Sequence, residues 1–286
     1  RLHLPADPQA GGVRVMIQSR SYKAFRATML VLVVLFLILP ILWMVLAAFK
    51  TNVDIYDAAK TIIFTPTLGN FTKVFAQGNF GEYIVNSAEV AVAATAASLV
   101  LGVPAAFAMS RFVMNKSALV ILMARVIPGI SLLVPWYYIF SNMRLVGSLW
   151  VLVLSHMFVS LPLIVYIMMG FFDGLPLEIE ESGLVDGLTH IGAFWHLMLP
   201  LSRSGMATAG ILSFIFSWNN FMFALVLSGS STKTLPVAIY DFIGYASIDW
   251  GALMAASTVV TVPIMAIALF TQRYIVAGLT AGATKG

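Results

Sequence analysis

Apolar residues run along the chain in six long stretches parted by short polar intervals, at 27–48, 83–109, 118–140, 149–171, 205–227 and 252–270. A helix rises about 1.5 Å per residue, so about 20 residues cross a hydrocarbon core of roughly 30 Å. Each stretch is close to or above that length. The pattern predicts six transmembrane helices and, with no alternating polar–apolar runs of comparable length, an all-α integral membrane protein. Pro40, Pro104, Pro128 and Pro135 fall inside the stretches. Spans tolerate proline better than soluble helices do, because neighbouring groups re-satisfy the freed backbone. The first apolar run is longer than the core of a cleaved leader and is read as a retained span. Ahead of it lies an N-terminal arm at 1–26, of which the first 20 or so residues, with Pro5, Pro8, Gly11 and Gly12, read as loose.

Composition removes the soluble alternative. Apolar residues make up 60% of the 286 positions and charged residues 10%, against roughly 45–50% and 25% in a soluble domain. The absence of Cys excludes a disulfide framework and any thiolate nucleophile or metal site. Basic residues then orient the bundle. Ten of the 16 Lys and Arg fall in the N-terminal arm, in alternate loops and at the C-terminus, five fall in the opposite loops, and Arg125 lies inside a span. The excess places both termini of the multi-pass chain in the cytoplasm, and an even number of spans requires that they share a side.

One cytoplasmic interval breaks the basic pattern. Residues 173–200 are long and acidic, with Asp173, Glu178, Glu180, Glu181 and Asp186. Pro176 and the acidic first turn mark a helix start. Gly187 suits a left-handed helix end, Thr189 a cap for a second helix, and Pro200 its stop. In the second helix Ile191, Phe194, Trp195 and Met198 form an apolar stripe. A partner groove or a membrane surface are the two readings of such an amphipathic elbow, and its acidity disfavours an anionic bilayer.

The spacing Glu181-Ser182-Gly183-x3-Gly187-x9-Leu197-x-Leu199-Pro200 resembles the E-A-A-x3-G-x9-I-x-L-P signature of bacterial ABC-importer permeases. Ser182 and Gly183 replace the two Ala, and Gly183 loosens a helix by roughly 1 kcal/mol relative to Ala. Asn86-Ser87, Arg125-Val126-Ile127-Pro128 and Phe216-Ser217-Trp218-Asn219-Asn220 resemble the carbohydrate-uptake branch, as does the ending from Gln272 to Gly286. Within it the chain is similar to the smaller permease of maltose-type importers. The branch handles neutral sugars, polyols and acidic oligosaccharides such as alginate fragments.

That resemblance implies a permease domain at 27–272 and a cytoplasmic tail at 273–286. It makes 173–200 a coupling-helix loop in which Glu180, Glu181, Ser182, Gly183, Asp186, Gly187, Phe194 and Pro200 meet an ATPase. The implied partners are a second permease in a heterodimer, two ATPase subunits, a periplasmic or surface solute-binding protein, the sugar and the bilayer, with no nucleic acid. ATP and Mg belong to the ATPase. This chain has no phosphate-binding G-x-x-x-x-G-K-[ST] loop, no catalytic motif and no metal ligand set, so it carries no cofactor.

Polar residues inside spans are candidate pathway groups. Glu89 either faces the pathway or bonds a neighbouring helix. Trp218 with Asn219 or Asn220 offers the aromatic face and planar amide that sugars bind. Arg125 reads first as a side chain snorkelling to the interface. Between spans five and six, Tyr240, Tyr245 and Trp250 are candidates for the solute-binding protein. An ATP-independent secondary transporter or channel is the alternative class.

Overall fold

The computed structural model describes residues 20–76, 79–112, 114–244 and 248–281. Among these the chain is helical, with one isolated antiparallel bridge between Ile243 and Ile248. The first helix is α1 (Arg20–Ala48), followed by the short α2 (Asn52–Tyr56), a 3₁₀ turn at Ala58–Lys60 and α3 (Gly69–Ala76). The long α4 (Phe80–Arg111) follows, then α5 (Asn115–Met123), α6 (Gly129–Asn142) and α7 (Leu149–Asp173). After α8 (Leu177–Val185) a continuous helical path comprises α9 (His190–Ala193), a π-helical turn at Phe194–Met198, and α10 (Leu199–Leu201). The last elements are α11 (Arg203–Trp218), α12 (Met222–Leu227), α13 (Leu235–Tyr240) and α14 (Trp250–Ala281).

Four of these helices, α1, α4, α7 and α14, are long and apolar enough to cross a membrane. The third and fifth apolar stretches are instead each broken in two. Pro128 lacks an N–H and restrains Ile127 away from the helical region, so α5 and α6 are parted by an unwound turn at 124–128. In the fifth stretch α11 ends at Trp218 and the chain restarts at Met222, with Asn219 and Asn220 in the gap. The Asn220 side-chain oxygen accepts a hydrogen bond from the Phe223 N–H at 3.2 Å, satisfying one donor that the break frees.

Helix α4 packs along α7 and α11, and α1 leans on α14. Residues 21–40 of α1 are exposed throughout, in keeping with an apolar surface meant for lipid or another chain. Close helix approach depends on small residues. A Cβ at Gly102 of α4 would come within 2.9 Å of Ile164, and one at Gly205 of α11 within 2.6 Å of the Phe171 ring. With 32 residues, α4 is roughly 48 Å long, which exceeds the hydrocarbon core and carries Ser110 and Arg111 beyond it.

At the end of the bundle bearing α2 and α3, two loops are fastened to the helix ends. The Asn70 amide donates to the carbonyls of Ala48 and Lys50, at 2.8 and 2.7 Å. Asn86 donates to Ser231 and Lys233, each at 3.0 Å, and the Leu235 N–H donates to Ser87 Oγ. Asp249 receives Lys73 and Asn52 and caps α14 through the Ala252 N–H. Burial works against the Asp249 charge, yet these hydrogen bonds together outweigh it and hold its carboxyl below the usual range. Lys50 is wholly buried and, among the described residues, pairs with no carboxylate. Its ammonium donates to the Lys60 and Thr61 carbonyls and lies over the Trp43 and Phe64 rings.

Candidate functional site

Two regions concentrate the chemistry. The first is the elbow at residues 173–200, at the far end of the bundle from α2 and α3. It is built by local backbone rules. Helix α8 ends in a Schellman turn: Gly187 takes φ +90°, its N–H bonds the Leu184 carbonyl at 3.1 Å, and the Leu188 N–H bonds Gly183 at 2.9 Å. Thr189 then caps the next helix, its hydroxyl accepting from the Gly192 N–H at 3.1 Å.

The second helix departs from the expected stop at Pro200. Helical structure runs through Pro200 toward α11, and the turn before it is widened to π geometry, with the Leu199 N–H reaching back to Phe194. Pro200 has no N–H to complete an ordinary turn and crowds the carbonyl four residues back; the wider turn relieves both. The predicted apolar stripe is divided between two environments. Phe194 and Met198 are 5% and 0% exposed and pack with Phe107, Ile164 and Phe172, whereas Ile191 and Trp195 are 72% and 57% exposed.

The elbow is bolted to the bundle by charge as well. Glu180 is buried, with one carboxylate oxygen 2.9 Å from Arg111 Nε and the other 3.0 Å from His190 Nδ1. Arg111 closes α4 and His190 opens α9, so one carboxylate ties three elements. Ser110 Oγ adds a hydrogen bond to Asp173 at 2.5 Å. Glu181, Ser182, Asp186 and Gly187 face outward, and Gly183 sits buried against Leu197. Of the eight elbow residues singled out by the sequence, four are thus turned to solvent. Glu180, Gly183 and Phe194 are turned inward, and Pro200 is half-buried.

The second region lies where the two broken stretches meet. The turn at 124–128 and Asn220 border a cavity of about 400 Å³, with Phe158, Phe216 and Phe223 forming apolar walls. That volume falls within the range of small-molecule sites. Trp136 stacks on Phe223 at 5.0 Å and meets Phe158 edge-on at 4.9 Å, holding α6, α7 and α12 around the cavity. Deeper still, His156 of α7 shares a 2.7 Å hydrogen bond with Ser217, fixing the last turn before the break.

The structure separates residues that adjacency in sequence had grouped. Asn220 borders the cavity. Asn219 is exposed and bonds the Ile215 carbonyl at 2.9 Å, outside the cavity lining. Trp218 is buried, its indole N–H donating to the Val260 carbonyl at 3.3 Å between α11 and α14. Glu89 lies on the exposed face of α4 with Val85 and Val92 and forms no ion pair with Arg125. Tyr240 is exposed, Trp250 half-buried, and Tyr245 outside the described residues. The Arg111–Glu180–His190 cluster was missed from sequence, since nothing local links residues so far apart. The capped α4 end and an acidic α8 facing it were the available signals.

Comparison with known proteins finds relatives along most of the chain. Residues 98–281 match the family described as binding-protein-dependent transport system inner membrane component. A trehalose transport system permease of Mycobacterium tuberculosis is 35% identical over 261 residues, covering 89% of this chain and 95% of that protein. A sulfoquinovosyl glycerol transport system permease of Agrobacterium fabrum is 33% identical over 254 residues, covering 86% and 88%. Among solved structures, a chain of a bacterial ABC transporter involved in the import of the acidic polysaccharide alginate superposes with a TM-score of 0.75. It is 17% identical, with 90% of this chain and 98% of that one covered.

Proposed function

The chain belongs to the family of binding-protein-dependent transport system inner membrane components, and we infer that it is the membrane permease of an ATP-driven ABC importer for sugars or oligosaccharides. The relatives named above transport saccharides or their conjugates, which supports the substrate class. In this reading the two broken stretches count as spans, giving six, and both termini lie in the cytoplasm. A second permease completes the pathway, two ATPase subunits bind and hydrolyse MgATP, and a solute-binding protein delivers the sugar at the α2–α3 end.

The observation that carries the reading is the elbow. A lever that converts ATPase closure into movement of spans must be stiff within itself and rooted in the spans. Here the outward groups Glu181, Ser182 and Asp186 stand on a unit whose inner face is fixed by Glu180 to α4 and by Phe194 among Phe107 and Phe172. Gly187 gives the sharp corner and Pro200 the widened turn. The division of labour follows: exposed residues meet the ATPase, and buried ones transmit its motion. The α14 backbone runs helically through Ala281, so residues 273–281 extend the last span toward the same cytoplasmic partner.

At the opposite end, Tyr240 and Trp250 flank loops fixed by Asn86, Ser87 and Asp249, a rigid rim suited to a docking solute-binding protein. Glu89 on its exposed face and Asn220 at the cavity remain the pathway candidates of this chain.

The test is reconstitution. The chain, co-expressed with its partner permease and ATPase, is placed in proteoliposomes with its solute-binding protein. Saccharide uptake that needs hydrolysable ATP supports the assignment. Uptake that proceeds unchanged without any ATPase subunit contradicts it and favours a secondary transporter.

A further inference from the structure

We propose that Arg125 and Asn220 form a donor-rich subsite through which this subunit itself grips the transported saccharide by a pair of adjacent oxygens. The inference rests on the transport reading above and adds to it a contact point and its polarity.

Arg125 sits in the unwound turn between α5 and α6, two residues past the end of α5 at Met123, where its exposed side chain borders the cavity. Its guanidinium has no ion pair and no hydrogen-bond partner among the described residues. Neither Glu89 of α4 nor His156 of α7 compensates it: both lie outside the cavity lining.

Asn220 reaches the same cavity from the other break. Its side-chain oxygen is occupied by the Phe223 N–H, which fixes the amide's orientation and leaves the NH₂ as the group without a partner. The cavity is thus offered the charged donors of Arg125 and the NH₂ donors of Asn220, beside one lone pair left on the Asn220 oxygen. A guanidinium fork matches two acceptors held side by side, as in a carboxylate or in vicinal hydroxyls. Phe158, Phe216 and Phe223 provide the apolar surface against which a sugar's C–H face packs. Unwound segments that line a cavity inside the membrane are where transported solutes are held, and here both breaks contribute to one cavity.

The experiment uses cells carrying the complete importer, given an equimolar pool of neutral and uronate-bearing di- and trisaccharides. The species whose accumulation needs an active ATPase are identified by mass spectrometry, and their uptake is then measured one by one. We expect Arg125→Gln to raise KM at least tenfold with maximal rate within about twofold. Asn220→Ala should raise it several-fold, and Arg125→Lys should recover only part of the loss because an ammonium lacks the fork. A rise confined to uronate-bearing species assigns the oxygens to a carboxylate; an equal rise for neutral species assigns them to vicinal hydroxyls. An unchanged KM in Arg125→Gln overturns the proposal, as does a fall in maximal rate at unchanged KM, which a purely structural role gives. Failure of every saccharide to accumulate in an ATP-dependent manner defeats the transport reading itself.

Discussion

Glu180 and Arg111 meet at 2.9 Å with side chains only 4% and 10% exposed, and His190 closes on the opposite oxygen of the same carboxylate. Ion pairs buried to this degree repay their desolvation only while both partners are present. Removing Glu180 leaves a guanidinium stranded at the end of α4.

Glu180→Ala is therefore expected to cost about 3–5 kcal/mol, seen as early unfolding of the elbow in detergent and as new protease cleavage between α7 and α11. Glu181→Ala, at an exposed neighbouring site, is expected to leave stability within about 0.5 kcal/mol while reducing ATP-driven uptake. Limited proteolysis and uptake on the same preparations separate the two. Equal losses of stability would contradict the assigned division between inner and outer carboxylates.

Gly183 carries a second expectation. Helix propensity alone says that Gly183→Ala gains roughly 1 kcal/mol. The structure offsets that gain, because the added Cβ would lie 2.5 Å from Leu197 Cδ1, a side-chain tip that must then move aside. The single variant should be neutral or less stable, and Gly183→Ala combined with Leu197→Val should be more stable than Gly183→Ala alone. A thermal-unfolding cycle measures the coupling.

How much of this was legible in the sequence differs by region. The elbow's corner at Gly187 and cap at Thr189 were readable because each depends on a few adjacent residues. The break at Pro128 was not read, because proline is tolerated inside spans and the third stretch was taken as one helix. Nor was the break at Asn219–Asn220, since two amides inside an apolar run read equally well as polar groups on a continuous helix. Trp218 was grouped with them by adjacency, but helix geometry turns it about 100° per residue, and its N–H found the Val260 carbonyl instead. The π turn escaped notice because periodicity at 3.6 residues assumes the very geometry that Pro200 disrupts. Arg125 was read by depth alone; the cavity beside it exists only once two distant breaks come together.

Gly205 tests the root of the elbow. Its missing side chain lets the start of α11 rest on the Phe171 ring, where a Cβ would approach three ring atoms at 2.6–2.9 Å. An aromatic ring wedged between helices has little room to yield. Gly205→Ala should cost about 1–3 kcal/mol and shift the α7–α11 packing. A melting temperature equal to that of the native protein would show that this contact is loose.

The α2 region supplies a pH test. The Lys60 ammonium beside Asp54 holds that carboxyl below its usual range, and Asp54 in turn raises Lys60. A depressed acid contributes above its unfolded pKa and loses that contribution as pH falls through the folded value; a raised amine does the reverse at high pH. Hydrogen-exchange protection of residues 52–61 should thus be flat from about pH 5 to 9 and weaken below about 4 and above about 10.5. Lys60→Met should abolish the alkaline arm and shrink the acid arm, part of which the Thr51 hydrogen bonds to Asp54 retain.

The central claim is that the elbow transmits the motion of an ATPase. The chain contains no Cys, so a single Asp186→Cys substitution places one thiol on the exposed corner beside Gly187. In the assembled importer this thiol should cross-link to an ATPase subunit with a short bifunctional reagent, and the yield should change between nucleotide-free and ATP-bound states. Capture of lipid-anchored probes alone, with no ATPase adduct in either state, would contradict the account.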